Sequence, residues 1–368
     1  MIKLTCDRQI LNEALTSASR VVSTRAAQEY MKGILLEAAD GILTITGSDT
    51  DISLKTAMDA NVSESGSCVI EARILSDIVR RLSGDEVVLE VDAQYQAVIR
   101  CDLSEFSIMS LPADKYSVIP DINETRSLTL AQPVLKRLLG LTSFAVSQND
   151  TRGIHTGVLF DIETEKITLV ALDGHRMSIG RAPLENGDPG SFVVHAGPLD
   201  EIERILSSDE EDNVQIRVGP RHVCFELGQT AVTARLLEGE FLKYKNSIPV
   251  NNSFKSRIDV KGMIQSVERV SLLINDKLKN PIRMAFEGET LRLSCITGLG
   301  KASDSLTVEP GGTLEIGFNN RYILDALRHC PEEELLIECN GPLTPFLFLP
   351  AEGDEYLFLI LPVRLSVE

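Results

Sequence analysis

Tryptophan is absent from the 368 residues, and aromatic side chains make up only 5% of them. Aliphatic packing must therefore build the core. No apolar run approaches the roughly 18 residues that a membrane span needs, which excludes a membrane-spanning helix and leads us to expect a soluble, cytoplasmic protein with no membrane partner. Seven cysteines at 6, 68, 101, 224, 295, 330 and 339 form neither a CxxC pair nor a zinc spacing. With no signal-peptide pattern, they read as reduced thiols, and no metal or cofactor is expected. Positive charge is also scarce: 36 Lys and Arg face 54 Asp and Glu, a formal net charge of −18. Such a balance argues against nucleic acid as a partner, unless the basic side chains gather on one surface.

What the chain does have is a repeat. Residues 66–82, GSCVIEARILSDIVRRL, and residues 190–206, GSFVVHAGPLDEIERIL, agree without a gap at 8 of 17 positions. A weaker third copy begins at Gly312 with GTLEIGFNNRYILDALRHC. Each reads as a short strand leading into an amphipathic helix. Upstream of them, the alternating segments from Gly33, Gly157 and Ile282 read as hairpins, and helical patterns precede these at Asp7 to Val21, Gln132 to Phe144 and Lys261 to Ile274. An acidic turn and another strand follow each second helix. The repeat is about 125 residues long, too long for a solenoid module, so each copy is expected to be a domain. Pro120 and Pro249 mark the joints. The expected fold is α+β, with three similar domains of antiparallel sheet and two helices each, dividing at 1–124, 125–250 and 251–368.

Tandem copies turning by a constant angle of about 60° would form a half-circle, which a second copy closes head to tail. Twelve helices spaced at about 10 Å on one circle leave a hole on the order of 28 Å, wide enough for a duplex. The helical stretches carry Arg8, Arg20, Arg25, Arg73, Arg80, Arg81, Lys136, Arg137, Arg204, Lys261, Arg269, Lys277, Lys279, Arg321 and Arg328. The densest acids, Asp209 to Asp212 and Glu332 to Glu334, fall in turns. Such a ring is acidic outside and basic within. The plainer reading of those helices, ordinary surface faces with local ion pairs, is supported by Asp77, Glu201 and Glu203 on the same stretches.

Only the middle copy contains Asp173-Gly-His-Arg176. Asp-Gly between the apolar runs of LVALDGHRMSI predicts a two-residue hairpin turn with positive φ at both positions. Asp173 and His175 suggest an acid–base pair, but no third group or nucleophile elbow accompanies them, so no catalytic residue is assigned.

Together these features resemble the bacterial DNA sliding clamps, the beta subunits of replicative DNA polymerase III, along essentially the whole chain. The resemblance is carried by Ala38-Ala-Asp-Gly41 with Thr46-Gly-Ser-Asp49, Ser110-Leu-Pro-Ala113, Asp150-Thr-Arg152 followed by Gly157, Asp173-Gly-His-Arg176, Glu238-Gly-Glu-Phe241, Ile316-Gly-Phe-Asn319 and Leu361-Pro-Val-Arg-Leu365. It implies a head-to-tail homodimeric ring that encircles double-stranded DNA, has no catalytic activity, and tethers the polymerase alpha subunit and other clamp-binding-motif proteins after opening by a clamp loader. By resemblance, the DNA-binding positions are Arg25, Arg73, Asn149, Gly153 and Ile154. A groove for partner peptides is implied at Arg152, Leu172, Gly174, His175, Arg176, Met177, Leu242, Asn246 and Ser247, completed by Leu359, Leu361, Pro362, Val363, Arg364 and Leu365. The chain departs from the family pattern at Gly153-Ile154, where an aromatic pair is common, at Leu172, Leu242 and Asn246, and in Ser366-Val367-Glu368 beyond the usual end. A different class of function, a ring scaffold that binds partners with little DNA retention, is motivated by the acidic balance.

Overall fold

The computed structural model describes residues 1–23, 29–117, 122–148, 153–185, 187–274 and 280–365. One succession of elements recurs three times. The first pass comprises β1 (Ile2–Asp7), α1 (Arg8–Arg20), β2 (Gly33–Ala39), β3 (Ile42–Ser48), β4 (Ile52–Asp59), a short β5 (Asn61–Glu64), β6 (Gly66–Glu71), α2 (Ala72–Arg81), β7 (Glu86–Val91), β8 (Gln96–Cys101) and β9 (Ser104–Met109). The second lacks the short strand: β10 (Arg126–Ala131), α3 (Gln132–Thr142), β11 (Gly157–Ile162), β12 (Lys166–Leu172), β13 (Arg176–Pro183), β14 (Gly190–His195), α4 (Ala196–Ile205), β15 (Asn213–Val218), β16 (His222–Leu227) and β17 (Thr230–Arg235). The third has β18 (Phe254–Asp259), α5 (Val260–Ser271), β19 (Ile282–Glu287), β20 (Thr290–Thr297), β21 (Gly300–Thr307), β22 (Leu314–Phe318), α6 (Asn320–Arg328), β23 (Glu334–Cys339), β24 (Phe346–Pro350) and β25 (Tyr356–Ile360).

Local chemistry explains these boundaries. A side-chain acceptor caps the first turn of four helices: Asp7 accepts from the Ile10 amide at 2.9 Å, Glu71 from Ile74 at 3.0 Å, Asn319 from Arg321 at 3.0 Å, and Asp259 from Gly262. Apolar residues three and four apart then bury one stripe of each helix, as Leu11, Leu15 and Ala18 do in α1 and Leu75, Ile78 and Val79 do in α2. The two-residue turn with positive φ at both positions is found at Asp40-Gly41, φ 50° and 80°, where Ala39 pairs with Ile42.

The described residues cluster into two compact units, Met1–Lys136 with Gly197–Leu236, and Arg137–Ala196 with Leu237–Glu368. The first holds a five-stranded sheet ordered β5-β1-β7-β8-β9 and an eight-stranded sheet ordered β10-β15-β16-β17-β4-β3-β2-β6. The second holds an eight-stranded sheet ordered β14-β11-β12-β13-β25-β24-β23-β18 and a four-stranded sheet ordered β21-β20-β19-β22. Each eight-stranded sheet is therefore assembled from two successive copies, through antiparallel β4–β17 pairs in one and β13–β25 pairs in the other. Besides the linkers, this continuous hydrogen-bonded sheet forms a joint between one copy and the next. In the first unit, α1 and α2 lie side by side with the Ser19 and Ser76 hydroxyls 2.7 Å apart. α1 presses so closely on β3 that a Cβ on Gly47 would fall 2.1 Å from the Ala18 carbonyl oxygen. In the second unit, α5 and α6 bury Met263, Val267, Val270, Ile323 and Leu327 in one apolar cluster with Phe286, Phe318, Phe346 and Phe358. Among the described residues, no helix is long and apolar enough to cross a membrane.

Candidate peptide groove and nucleic-acid surface

The Asp173–Arg176 loop departs from the expected turn. Gly174 has φ +85°, but Asp173 is not among the described non-glycine residues with positive φ. Its carboxylate instead accepts from the His175 amide at 2.9 Å and the Arg176 amide at 3.1 Å, while its own amide donates to the Arg176 carbonyl at 3.2 Å. The aspartate closes the loop through its side chain, which a turn with both φ values positive does not provide.

Arg176 is held on every side. Its Nε donates to Asp173 at 3.0 Å, Nη1 to Asp325 of α6 at 2.5 Å, and Nη2 to the Phe144 carbonyl at 2.9 Å. The guanidinium also lies 4.7 Å from the Tyr322 ring centroid and 5.6 Å from that of Phe144. Only 12% of the side chain is exposed. The exposed His175 ring stacks on Tyr322 at 6.0 Å.

Beside this loop, Leu172, Met177 and Leu359 are buried in one cluster with Ile154, Leu159, Ile179, Val193, Tyr244, Leu347 and Leu357. Met177 is the register partner of both Leu172 and Leu359, which places the three apolar side chains across adjacent strands. The segment after β17 lies on this cluster through the partly buried Leu237, Phe241 and Ile248. Tyr244 anchors it, its hydroxyl donating to Asp161 at 2.7 Å, and burial together with that carboxylate raises the phenol's pKa. Lys245 adds a 2.7 Å contact to Glu163 and holds that carboxyl below its usual range. Leu242, Asn246 and Ser247 remain exposed on this segment.

The tail leaves β25 beside the same loop. The Leu361 amide donates to the His175 carbonyl at 2.8 Å, and the Val363 amide to the Gly317 carbonyl at 2.8 Å. Leu361 and Val363 expose 40% and 39% of their surface, and Arg364 is exposed as well, so the tail offers an apolar ridge beside the buried floor. Leu365 lines a small cavity with Asn280, Pro281, Arg283 and Ile296.

The structure thus brings Leu172, Gly174, His175, Arg176, Met177, Leu359 and Leu361 together around one loop and the adjoining ends of β12, β13 and β25. Ile154, which the resemblance assigned to DNA, is 3% exposed and packs with the groove floor behind Gly153, whose φ is +73°. Arg73 is exposed at the start of α2, where it lines a groove of about 410 Å³ with Arg20, Lys32 and Arg80 and with the acids Glu71 and Asp77. Arg25, Asn149 and Arg152 lie outside the described residues, as do Lys277 and Lys279. Several helical cations have partners within the chain: Arg80 and Arg81 meet Asp77, Arg204 meets Glu201, Arg269 meets Asp304, and Arg328 meets Glu268. Sequence reading missed Tyr322, Asp325 and Phe144, because each meets Arg176 through the fold alone.

Residues 2–120, 129–243 and 245–364 match the models of the N-terminal, central and C-terminal domains of the DNA polymerase III beta subunit. The chain belongs to the DNA polymerase III beta-subunit family. A beta sliding clamp of Staphylococcus aureus is 31% identical, over 99% of this chain and 100% of its own length. Among solved structures, a putative DNA polymerase III beta subunit of Eubacterium rectale superposes with a TM-score of 0.94 at 31% identity, covering 99% of each chain. The DNA polymerase sliding clamp of Bacillus subtilis gives 0.94 at 29% identity, covering 99% of this chain and 100% of the other. The fold class is that of the clamps, α+β with antiparallel sheets and paired helices. Members of the family are scaffolds and not catalysts.

Proposed function

We propose that two copies of this chain close into a ring through a strand pairing that a single copy leaves unmade. As a sliding clamp, the protein is a processivity factor that encircles duplex DNA and tethers replication proteins. The observation that carries the closure is the repeated joint. The third strand of the first hairpin group, β4, pairs with β17, the last strand of the next copy, and β13 pairs with β25 in the same way. The remaining members of the two series are β21 and β9, each an edge of its own sheet. Antiparallel pairing of β21 with β9 of a second copy repeats the joint and removes both exposed edges. Leu103, Phe106 and Met109 at β9, and Leu299 beside β21, are exposed apolar side chains at those edges.

The groove around Leu172, Met177, Leu359 and Leu361 suits a short linear peptide with Leu or Phe anchors, the apolar floor giving affinity and the His175 loop and tail limiting register. We assign it to the polymerase alpha subunit, the clamp loader and other proteins with a clamp-binding motif. Arg73, with Arg20 and Lys32, is assigned to the DNA phosphates, together with Arg25, Asn149 and Gly153. Mass in solution tests the ring: twice the 40.4 kDa of the chain is expected, and a species of 40.4 kDa at working concentration contradicts it.

A further inference from the structure

Two acceptors far apart in the sequence hold the C-terminal tail: the His175 carbonyl for Leu361 and the Gly317 carbonyl for Val363. Between the two anchored amides lies Pro362, which has no N–H of its own and a fixed φ. Each acceptor has its own support. His175 belongs to the loop that Arg176 ties to α6 through Asp325 at 2.5 Å. Gly317 lies in β22, an edge strand, and forms an antiparallel bridge with Val363. It is also the floor under the last described side chain: a Cβ there would fall 2.5 Å from Leu365 Cδ2 and 3.0 Å from the Val363 carbonyl oxygen.

We infer that Asp325 and Gly317 are positioning residues for partner binding, which preform the tail wall of the groove without touching the peptide. Asp325 acts through Arg176 on the first anchor, and Gly317 acts directly on the second. The inference rests on the reading of the groove as a peptide site. A tail fixed at both ends before binding spares the complex the entropy of ordering three residues, so loss of either anchor weakens affinity even though no groove side chain changes.

Full-length protein carrying Asp325→Ala, Asp325→Asn or Gly317→Ala is compared with the parent in two measurements. One is the affinity for a fluorescein-labelled peptide with spaced Leu and Phe anchors, and the other is amide hydrogen exchange at Leu361 and Val363. Asp325→Ala is expected to speed exchange at Leu361 and weaken binding about three- to tenfold, with Asp325→Asn, which keeps an acceptor, falling between it and the parent. Gly317→Ala is expected to speed exchange at Val363 with a similar loss of affinity. Unchanged affinity in both alanine variants overturns the inference. So does a loss of protection spread through the whole unit with a lowered melting midpoint, since the residues would then serve only stability. Failure of the parent to bind the peptide overturns the groove reading instead, and site-selective exchange at the two amides still reports on the anchors.

Discussion

At Glu163 the Lys245 ammonium lies 2.7 Å from a carboxylate oxygen and holds the carboxyl below its ordinary range. A depressed carboxyl stabilises the folded state above its unfolded pKa and loses that contribution as pH falls through the folded value. Lys245 and Tyr244 fasten the segment that covers the groove floor, so acid should loosen that segment. The expected outcome is that Glu163→Gln lowers the melting midpoint slightly at pH 7, and that the gap between variant and parent closes as pH is taken down toward 3. A gap that widens in acid would contradict the assignment. Both side chains are substantially exposed, so the effect is small. Single residues were unevenly legible in the sequence. Asp40-Gly41 and Asp173-Gly174 share a dipeptide, yet only the first makes the turn expected of it, because the Asp173 carboxylate is engaged by two amides of its own loop. Arg176 read as a groove residue, while its partner Asp325 lies 149 positions away and has no local signal.

Among the elements, periodicity and alternation marked the helices of all three copies to within a few residues, since capping and burial of one stripe are local properties. Hairpin partners were legible, as in β2–β3, β11–β12, β12–β13 and β19–β20, but strand partners from different copies were not. Of the two expected joints, Pro120 lies outside the described residues, and around Pro249 the chain runs without helix or strand between Ser247 and Phe254; the β4–β17 and β13–β25 ladders join the copies by pairing that leaves no trace in either strand alone. The tail is the element whose role is most exposed to test. A chain ending at Leu361 loses the Val363 anchor and the exposed ridge of Val363 and Arg364. Peptide affinity should fall by at least about tenfold, while the mass in solution remains that of the dimer, because β9 and β21 are untouched. Retained affinity would remove the tail from the groove. Conversely, Phe106→Lys places a charge on the β9 edge and is expected to shift the solution mass toward the single chain at low concentration, with peptide binding unchanged. A dimer that survives this change undiminished would place the seam elsewhere.

For the whole molecule, the excess of 18 negative charges and a role on DNA are compatible if few cations need to hold the duplex tightly. Many helical Arg side chains are already paired with Asp or Glu within the chain, which favours enclosure over adhesion as the means of retention. Enclosure has a signature that adhesion lacks: it depends on the topology of the DNA and not on the number of phosphates contacted. The most direct measurement loads the labelled protein onto nicked circular duplex with a clamp loader, isolates the complex, and follows the bound fraction before and after a single restriction cut. The ring predicts stable retention on the circle and prompt loss on linearisation. Equal retention on circular and linear DNA, or no retained complex on either, would contradict it.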